Sequence, residues 1–390
     1  MKPVAKLVLA VAVVSSLLVV SAVVIGACAL VHLGVDGDHL HSGIEARRVE
    51  THELALDPAR ALEATVDYGS IRARTSSDGS ARVVATLRAW GSDQQDADER
   101  LAEMALELGP NLVRGHEKRD SSRKFFEYGG GEEVDLELVL PAGLRVQLSS
   151  GSGDLAVEGA FGDTALESGY GDVRASGIRG ALAAKSSSGS VRANDVQGAR
   201  LRLDSSYGDL ALGAIQSEEI LAHTSSGEID AHDLTGTRIA LSSDYGDVKA
   251  ARTRGDLDAH SGSGEVQLVE GDGACRGRSD YGDVHARGRF SALELASGSG
   301  SVHAEALAGS ALGQGWQLRS DYGEVLLVLS ERLDFELEAS TDYGEVRAEL
   351  SGVLGGARGD EAKKLRGPVG KGGPKLRLHS SSGDVEIRGP

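Results

Sequence analysis

Several features that are common in enzymes and in nucleic-acid-binding proteins are scarce in this chain of 390 residues. Aromatic residues make up only 4% of the sequence, which does not suit a thick globular core. Two cysteines, Cys28 and Cys275, are too few for a disulfide framework. A net charge of −18 argues against a nucleic-acid partner. The composition therefore favours a soluble protein with a thin core of Val, Leu and Ala.

Motifs of common enzyme classes are also missing. The sequence contains no GxSxG elbow, no GxxxxGK phosphate loop and no GxGxxG dinucleotide fingerprint. The pairs His52-Glu53 and His116-Glu117 lack the second histidine of a zinc-protease helix. Acidic residues recur evenly along the chain and do not cluster as a catalytic pair would. We therefore predict no catalytic residues.

What the chain does contain is a repeat. From about residue 146 onwards, a glycine recurs every 18–19 residues inside a short phrase such as SGDL or YGDV. The residue two places after the glycine is always apolar, and apolar and polar residues alternate on both sides, which is typical of strands with one buried face. A fixed period of this length predicts stacked rungs of a β-solenoid. The repeat glycines are Gly153, Gly171, Gly189, Gly208, Gly227, Gly246, Gly264, Gly282, Gly300, Gly323, Gly344 and Gly383, with an outlying copy at Gly69.

Each repeat unit is predicted to contain two short strands joined at a corner. The glycine is expected to supply the backbone angles of a tight turn. A Ser or Thr stands three places before it in the copies from Gly153 onwards, and by strand parity it points inward, where stacked hydroxyls could hydrogen-bond in a ladder. The residue directly before the glycine alternates between Ser and Tyr from Ser152 to Tyr322. This alternation fits either one unit or two units per rung, and we favour one.

The N-terminal segment predicts a membrane anchor. Lys2 and Lys6 precede Leu7–Leu33, which is 27 residues without Asp, Glu, Lys or Arg and is long enough to span a bilayer. The lysines would stay inside, so the repeat domain would lie outside the cytoplasm, in the periplasm or at the cell surface. Two alternatives stay open: a cleaved signal, and a lipoprotein with Cys28 as the lipidated residue.

The sequence divides into four parts. Residues 1–33 form the anchor or signal segment, 34–50 a polar linker, 51–145 a capping region of strands with one helix, and 146–390 the solenoid. The helix is predicted over Ser92–Leu108 with Ser92 as its N-cap. The repeat spacing widens near the end of the chain, so an insertion is expected near 351–375.

One segment resembles a known family. The phrase VDLELVLPAGLRVQLSSGSGDLAV (Val134–Val157), followed by recurring SGD and SGE units and preceded by an inserted helix, resembles the bacterial putative-adhesin family of β-strand repeat proteins, a domain of unknown function. The resemblance covers about residues 50–390. It implies a right-handed β-helix-like domain at the cell envelope, with roles in adhesion or envelope-stress signalling and no established catalytic residues.

Two rows of side chains at the corners are candidate sites. Acidic residues follow most repeat glycines and could bind Ca²⁺, although a solvated turn face, with basic residues two places further on, is the simpler explanation. Tyrosines before the glycines could stack on sugars, or could pack as structural ladder residues. The metal candidates are Asp244, Asp247, Asp280, Asp283, Asp321 and Glu324, and the ligand-surface candidates are Tyr170, Tyr207, Tyr245, Tyr281, Tyr322 and Tyr343.

These observations lead to a functional hypothesis. We predict a non-catalytic, envelope-anchored β-repeat protein that acts as an adhesin or as a partner-binding or envelope-stress module. Its partner would be an envelope protein or a glycan, and it would need no cofactor unless Ca²⁺ binds the corners. The alternatives are a polysaccharide lyase or hydrolase on a β-helix, and a structural rod that self-associates through its end rungs.

Overall fold

The computed structural model describes residues 24–25, 43–117, 131–313, 315–350 and 363–390. Within these ranges the chain forms one α-helix and a single 27-stranded sheet. The elements before the regular stack are β1 (Val24–Ile25), β2 (Ile44–Glu53), β3 (Leu62–Tyr68), β4 (Ile71–Thr75), β5 (Arg82–Gly91), α1 (Gln94–Glu103), β6 (Met104–Gly109), β7 (Leu112–Glu117) and β8 (Gly131–Leu140).

The regular stack follows. Its strands are β9 (Val146–Ser152), β10 (Leu155–Glu158), β11 (Thr164–Ser168), β12 (Val173–Ser176), β13 (Leu182–Ser186), β14 (Val191–Ser205), β15 (Leu210–Thr224), β16 (Ile229–Ser243), β17 (Val248–Ser261), β18 (Val266–Ser279) and β19 (Val284–Ser297). The C-terminal strands are β20 (Val302–Ala306), β21 (Trp316–Ser320), β22 (Val325–Leu329), β23 (Phe335–Thr341), β24 (Val346–Glu349), β25 (Lys364–Val369), β26 (Lys375–Ser380) and β27 (Val385–Arg388).

The stack is a parallel β-solenoid with one repeat unit in each rung. Leu201 pairs with Ile220 in the next rung, and Ile220 pairs with Ile239 in the rung after that. The register thus advances by one repeat each time, which excludes two units per rung. The alternating apolar residues face inward and form a narrow core that runs the length of the stack. The predicted all-β parallel solenoid is confirmed.

The corner glycines are needed for close stacking, not for unusual backbone angles. A Cβ atom on Gly246 would lie 2.0 Å from the carbonyl oxygen of Gly227 in the preceding rung, and one on Gly208 would lie 2.1 Å from that of Gly189. From Gly153 onwards, the described corner glycines lie outside the left-handed region. The expectation of special turn angles is therefore wrong, because the limiting factor is the approach of one backbone to the next.

The buried Ser and Thr hydroxyls connect neighbouring rungs. The Ser243 hydroxyl donates to the carbonyl oxygen of Gly227 at 2.8 Å and accepts the N–H of Gly246 at 2.8 Å. The same pair of bonds recurs from Ser168 to Ser380. The predicted ladder thus exists, but each hydroxyl bonds to corner glycines and not to the next hydroxyl. A buried polar group on every rung is satisfied in this way.

In the middle of the stack, a second bend lies six residues after the corner glycine and was not predicted. This position adopts left-handed angles, with φ of 51° at Asp195 and 57° at Asp233. The next residue turns inward and is buried, as at Val196 and Leu234. Ala214, Arg252 and Glu270 take the same conformation, so no single residue type marks the bend.

At the C-terminal end the order of rungs in space differs from the order in sequence. Leu376 of β26 pairs on one side with Trp316 of β21 and on the other side with Leu337 of β23. The last unit of the chain therefore lies between the two units that precede it. β25, part of the predicted 351–375 insertion, then covers β23 as an antiparallel strand.

The N-terminal end has the mirrored arrangement. Leu62 of β3 pairs with Val146 of β9, while the other edge of β3 pairs with β7. Ile71 of β4 lies between Leu155 of β10 and Leu136 of β8. The outermost rung is thus built from β7 and β8, which come later in the sequence than the rung inside it. Antiparallel strands β5, β2 and β6 complete this end.

Two predictions for the N-terminal region need correction. The helix is shorter than Ser92–Leu108, and its N-cap is Asp93, whose side chain accepts the N–H of Asp96. It ends at Glu103 because the following residues pair as β6 with β7. Tertiary strand pairing thus overrides local helical pattern. Residues 44–50, predicted as linker, lie in β2, which pairs with β5 along its whole length.

The described residues include no helix that is both apolar and long enough to cross a bilayer. The predicted anchor over residues 7–33 lies outside the described residues except for Val24–Ile25, which pair with β2. Cys28 and residues 351–362 of the predicted insertion also lie outside them.

Candidate functional site

A line of exposed tyrosines runs along the corner edge of the solenoid. The structure places all six predicted tyrosines at equivalent positions on this edge, and adds a seventh, Tyr68. Their exposed fractions range from 64% for Tyr68 to 82% for Tyr343. This exposure does not fit the alternative that they pack as ladder residues. We call Tyr68, Tyr170, Tyr207, Tyr245, Tyr281, Tyr322 and Tyr343 the tyrosine row.

Serines separate the members of the tyrosine row without exception. In the sequence the alternation breaks after Tyr322, because Tyr343 comes next. In space Ser382 lies between them, since the last unit of the chain occupies the rung between β22 and β24. Ser152 likewise pairs with Tyr68 at the other end. The intervening serines are Ser152, Ser188, Ser226, Ser263, Ser299 and Ser382.

The spacing leaves each ring of the tyrosine row separate. Rungs of a sheet lie roughly 4.7–4.9 Å apart, so tyrosines on alternate rungs are roughly 9.4–9.8 Å apart. Aromatic rings in contact have centroids about 4.5–7 Å apart. The rings are therefore too far apart to stack on one another, and their exposed surface is available to a partner.

The acidic residue after the corner glycine has a structural task when it is Asp. Oδ1 of Asp154 accepts the backbone N–H of Asp172 at 2.8 Å, and Oδ1 of Asp172 accepts that of Ser190 at 2.9 Å. Asp209, Asp247, Asp283 and Asp384 form the same bond with the neighbouring rung. These carboxylates thus accept a hydrogen bond from a backbone N–H that would otherwise have no partner at the corner.

Basic side chains neutralise many of these acids. Arg174 lies 3.1 Å from Asp154 and 2.5 Å from Asp172, and Arg192 lies 3.1 Å from Asp172. Lys249 pairs with Glu228 in the same way. The predicted interpretation of a solvated, charge-paired turn face describes these contacts well.

The six metal candidates do not converge. Asp247 and Asp283 each accept a backbone N–H, and Asp321 lies 2.9 Å from Arg319. Among the described residues, no group of three or more His, Cys, Asp or Glu side chains is arranged to hold a metal ion. The Ca²⁺ hypothesis for Asp244, Asp280 and Glu324 therefore remains a prediction without a coordinating geometry.

Carboxylates directly before the tyrosines behave differently from those after the glycine. Asp67, Asp244, Asp280 and Asp342 are exposed and precede a member of the tyrosine row. Within the described part of the chain their side chains form no ion pair, whereas Asp321 pairs with Arg319. Four members of the tyrosine row are thus preceded by carboxylates that have no ion-pair partner among the described residues.

A lysine of the same chain lies over the ring of Tyr343, the last tyrosine of the row. Nζ of Lys363 lies 5.9 Å from the centroid of the Tyr343 ring, and it donates to the backbone oxygen of Asp342 at 2.9 Å. This distance is within the range of a cation–π contact. Sequence reasoning missed this contact because Lys363 comes from the insertion and not from the repeat.

Shifted pKa values elsewhere have architectural causes. Hydrogen bonds from Arg252 and His232 hold the pKa of Asp233 well below its usual range, at the second bend. Burial raises the pKa of the Cys275 thiol to about 12. A groove near Cys275 contains Arg276, but this guanidinium is paired with Glu294 at 2.9 Å. Neither place combines a free nucleophile with a general base.

A family model described as Toastrack DUF4097 matches residues 70–292 and 278–388. The match confirms the resemblance predicted from the SGD and SGE repeats. Comparison with curated proteins finds no match.

Three crystal structures share low identity with this chain. A putative adhesin from Bacteroides fragilis is 12% identical, with a TM-score of 0.25, over 88% of this chain and 97% of that one. A putative cell adhesion protein from Clostridium sporogenes is 9% identical, with a TM-score of 0.18, over 88% and 100%. A putative lipid binding protein from Parabacteroides distasonis is 10% identical, with a TM-score of 0.22, over 86% and 96%.

Proposed function

This chain belongs to the Toastrack DUF4097 family, and on that premise we propose that it is a non-catalytic binding rod of the cell envelope. Its tyrosine row is the surface that contacts an extended partner. The predicted N-terminal anchor would hold it at the membrane with the solenoid outside the cytoplasm. The single observation that supports this function best is the unbroken alternation of exposed tyrosines and serines along one edge.

This alternation is difficult to explain by stability alone. A tyrosine that is about 70% exposed, such as Tyr281, covers little of the core. Serine occupies the same position in every second rung, so the fold does not need a ring there. A regular row of exposed aromatic side chains along one edge is more typical of an interaction surface than of a structural one.

The alternative functions find less support. Most corner aspartates after the glycine are engaged with a backbone N–H, as at Asp154 and Asp247, and are not available as a catalytic acid or base. A rod that self-associates through its ends would need open end rungs. Antiparallel strands cover β7 and β8 at one end and β23 at the other, so that among the described end-rung strands only β24 lacks a covering strand.

The proposed function can be tested with a glycan array and with detergent-solubilised envelope proteins coupled to beads, a format in which the predicted anchor cannot retain the chain by inserting into a bilayer. The full chain is compared with the triple variant Tyr245→Ser, Tyr281→Ser, Tyr322→Ser, which gives these rungs the residue that their neighbours already carry. We expect the native chain to be retained and the variant to be released. Ser226→Ala with Ser263→Ala is the matched control and should bind like the native chain. Equal retention of native and triple variant would refute the proposal.

A further inference from the structure

The tyrosine row carries information about the chemistry of its partner. This inference rests on the proposed function and names the kind of polymer that the row binds. Three observations contribute: the lysine that already lies on one ring, the unpaired carboxylates, and the spacing of the rings.

The first observation is the contact between Lys363 and Tyr343. An ammonium group lies 5.9 Å from the ring centroid while donating a hydrogen bond at 2.9 Å to the main chain of the preceding Asp342. The corner around Tyr343 therefore accepts an ammonium from a flexible side chain. Tyr245 and Tyr281 share with Tyr343 the preceding Asp and the following Gly and acidic residue, are also exposed, and have no lysine on the ring among the described residues.

The second observation is charge. Asp67, Asp244 and Asp280 are exposed, precede row tyrosines and lack an ion-pair partner within the described ranges. The whole chain carries a net charge of −18. A cationic partner would be attracted at long range and would neutralise these carboxylates on contact, whereas an anionic polymer would be repelled.

The third observation is the distance between rings. Two rungs correspond to roughly 9.4–9.8 Å. A polyproline II helix rises about 3.1 Å per residue with three residues per turn, so it presents the same face about every 9.3 Å. A β-strand presents the same face about every 6.4–6.8 Å. An α-helix does so about every 10.5 Å over seven residues, and this mismatch would accumulate to about 5 Å along the row.

We propose that the tyrosine row binds an extended polypeptide in the polyproline II conformation that carries a lysine at every third residue. Each ammonium lies over a row tyrosine as Lys363 lies over Tyr343, and the carboxylate supplies the opposite charge where an Asp precedes the tyrosine, as at Tyr245 and Tyr281. The serine rungs leave gaps for the two residues between lysines. Aromatic-lined surfaces are a known mode of recognition for this backbone, because its conformation is largely preformed.

The test uses the full chain and labelled peptides in a fluorescence anisotropy titration. The probe contains five Pro-Pro-Lys triplets. One control has five lysines alternating with proline, which keeps the charge and changes the spacing, and a second control replaces each lysine of the probe by glutamate. We expect the probe to bind at least tenfold more tightly than the peptide with alternating lysines, and the glutamate peptide not to bind. Raising the salt concentration should weaken binding.

Variants assign the effect to the row. Tyr245→Ser with Tyr281→Ser and Tyr322→Ser should weaken probe binding at least tenfold. Tyr245→Phe alone keeps the ring and should bind within about twofold of the native chain, which guards against misreading a folding defect. Asp244→Asn with Asp280→Asn should weaken binding about threefold to tenfold. Glu63→Gln with Glu158→Gln removes the same charge elsewhere on the surface and should have little effect.

Several results would overturn the inference. Equal affinity for both lysine spacings, or unchanged binding by the tyrosine variant, would show that charge alone is recognised. If the envelope or a glycan retains the native chain through the row while the probe does not bind, the partner is not this polypeptide and the proposed function stands. If the coupled envelope proteins or glycans retain the tyrosine variant as well as the native chain, both proposals fail.

Discussion

At the scale of the residue, several side chains that recur in the repeat form hydrogen bonds to the neighbouring rung. The hydroxyl of Ser243 bonds to a glycine of its own rung and a glycine of the rung before it. The carboxylate of Asp247 accepts an N–H from the rung after it. The side chain of Tyr245, between them, forms no hydrogen bond within the described part of the chain and is 69% exposed. Within the five residues from Ser243 to Asp247, structural and candidate binding roles thus fall on different side chains.

Replacing the buried hydroxyl should destabilise the stack. Ser243→Ala leaves the N–H of Gly246 and the carbonyl of Gly227 without their partner. We expect a loss of about 1–3 kcal/mol in the free energy of unfolding, measured by denaturant titration. Ser242→Ala changes the adjacent, outward residue and should cost less than about 0.5 kcal/mol. Equal losses for the two variants would contradict the assigned role.

The thiol of Cys275 should be unreactive in the folded protein. Burial raises its pKa to about 12, so below that pH the group remains a neutral thiol, and the thiolate is the nucleophile. In a Cys28→Ser background, iodoacetamide should label Cys275 slowly at pH 8 and rapidly in denaturant. Labelling is followed by mass spectrometry. Equal rates in both conditions would show that the Cys275 thiol is open to solvent in the folded protein.

The inward-facing positions could be predicted from the sequence, because alternating apolar and polar residues indicate a strand with one buried face. The inward residues such as Leu201 and Ile220 are buried as the pattern indicates. The reason for the corner glycine was not predictable, because it depends on a carbonyl one repeat away. The second bend at Asp195 was missed since Ala214 and Arg252 adopt the same angles.

At the scale of the element, the order in which the rungs stack differs from their order in the sequence at both ends of the solenoid. Such an exchange buries a chain segment between two rungs that are consecutive in sequence, here β26 between β21 and β23. A repeat pattern gives the register inside a unit but not the order in which units stack. The wider repeat spacing near residue 351 therefore indicated that the regular stack is interrupted there, but not that the rungs exchange their order.

Disulfide trapping tests the order of the C-terminal rungs. Arg377 is the register partner of Gln317 on one side and of Glu338 on the other. In a Cys28→Ser, Cys275→Ala background, cysteine at 377 should crosslink with cysteine at 317 and, in a second variant, with cysteine at 338. The pair 317 and 338 should not crosslink, because β26 separates them. Efficient crosslinking of that pair would contradict the rung order.

At the scale of the whole molecule, the rod presents one chemically distinct edge. Paired charges cover much of the remaining surface, as with Arg174 beside Asp154 and Asp172. The fold class and the six repeat tyrosines were available from sequence. The unbroken alternation of tyrosine and serine could not be predicted, because Tyr322 and Tyr343 belong to consecutive repeats in the sequence while Ser382 separates them in space.

Chelation should leave the rod unchanged. No metal-binding group is present among the described residues, and Asp247 and Asp283 hold backbone N–H groups of the next rung. We expect the same melting temperature with and without EDTA, by differential scanning calorimetry. A lower melting temperature in EDTA that Ca²⁺ restores would instead support ion binding at the corners.

The most direct measurement of the central claim is chemical footprinting of the tyrosines. The full chain, free or bound to the coupled envelope proteins, is lightly iodinated and each tyrosine is quantified by mass spectrometry. We predict that consecutive members of the tyrosine row react readily in the free protein and become protected together on binding. If the retained protein is iodinated on the tyrosine row as readily as the free protein, the row is not the binding surface.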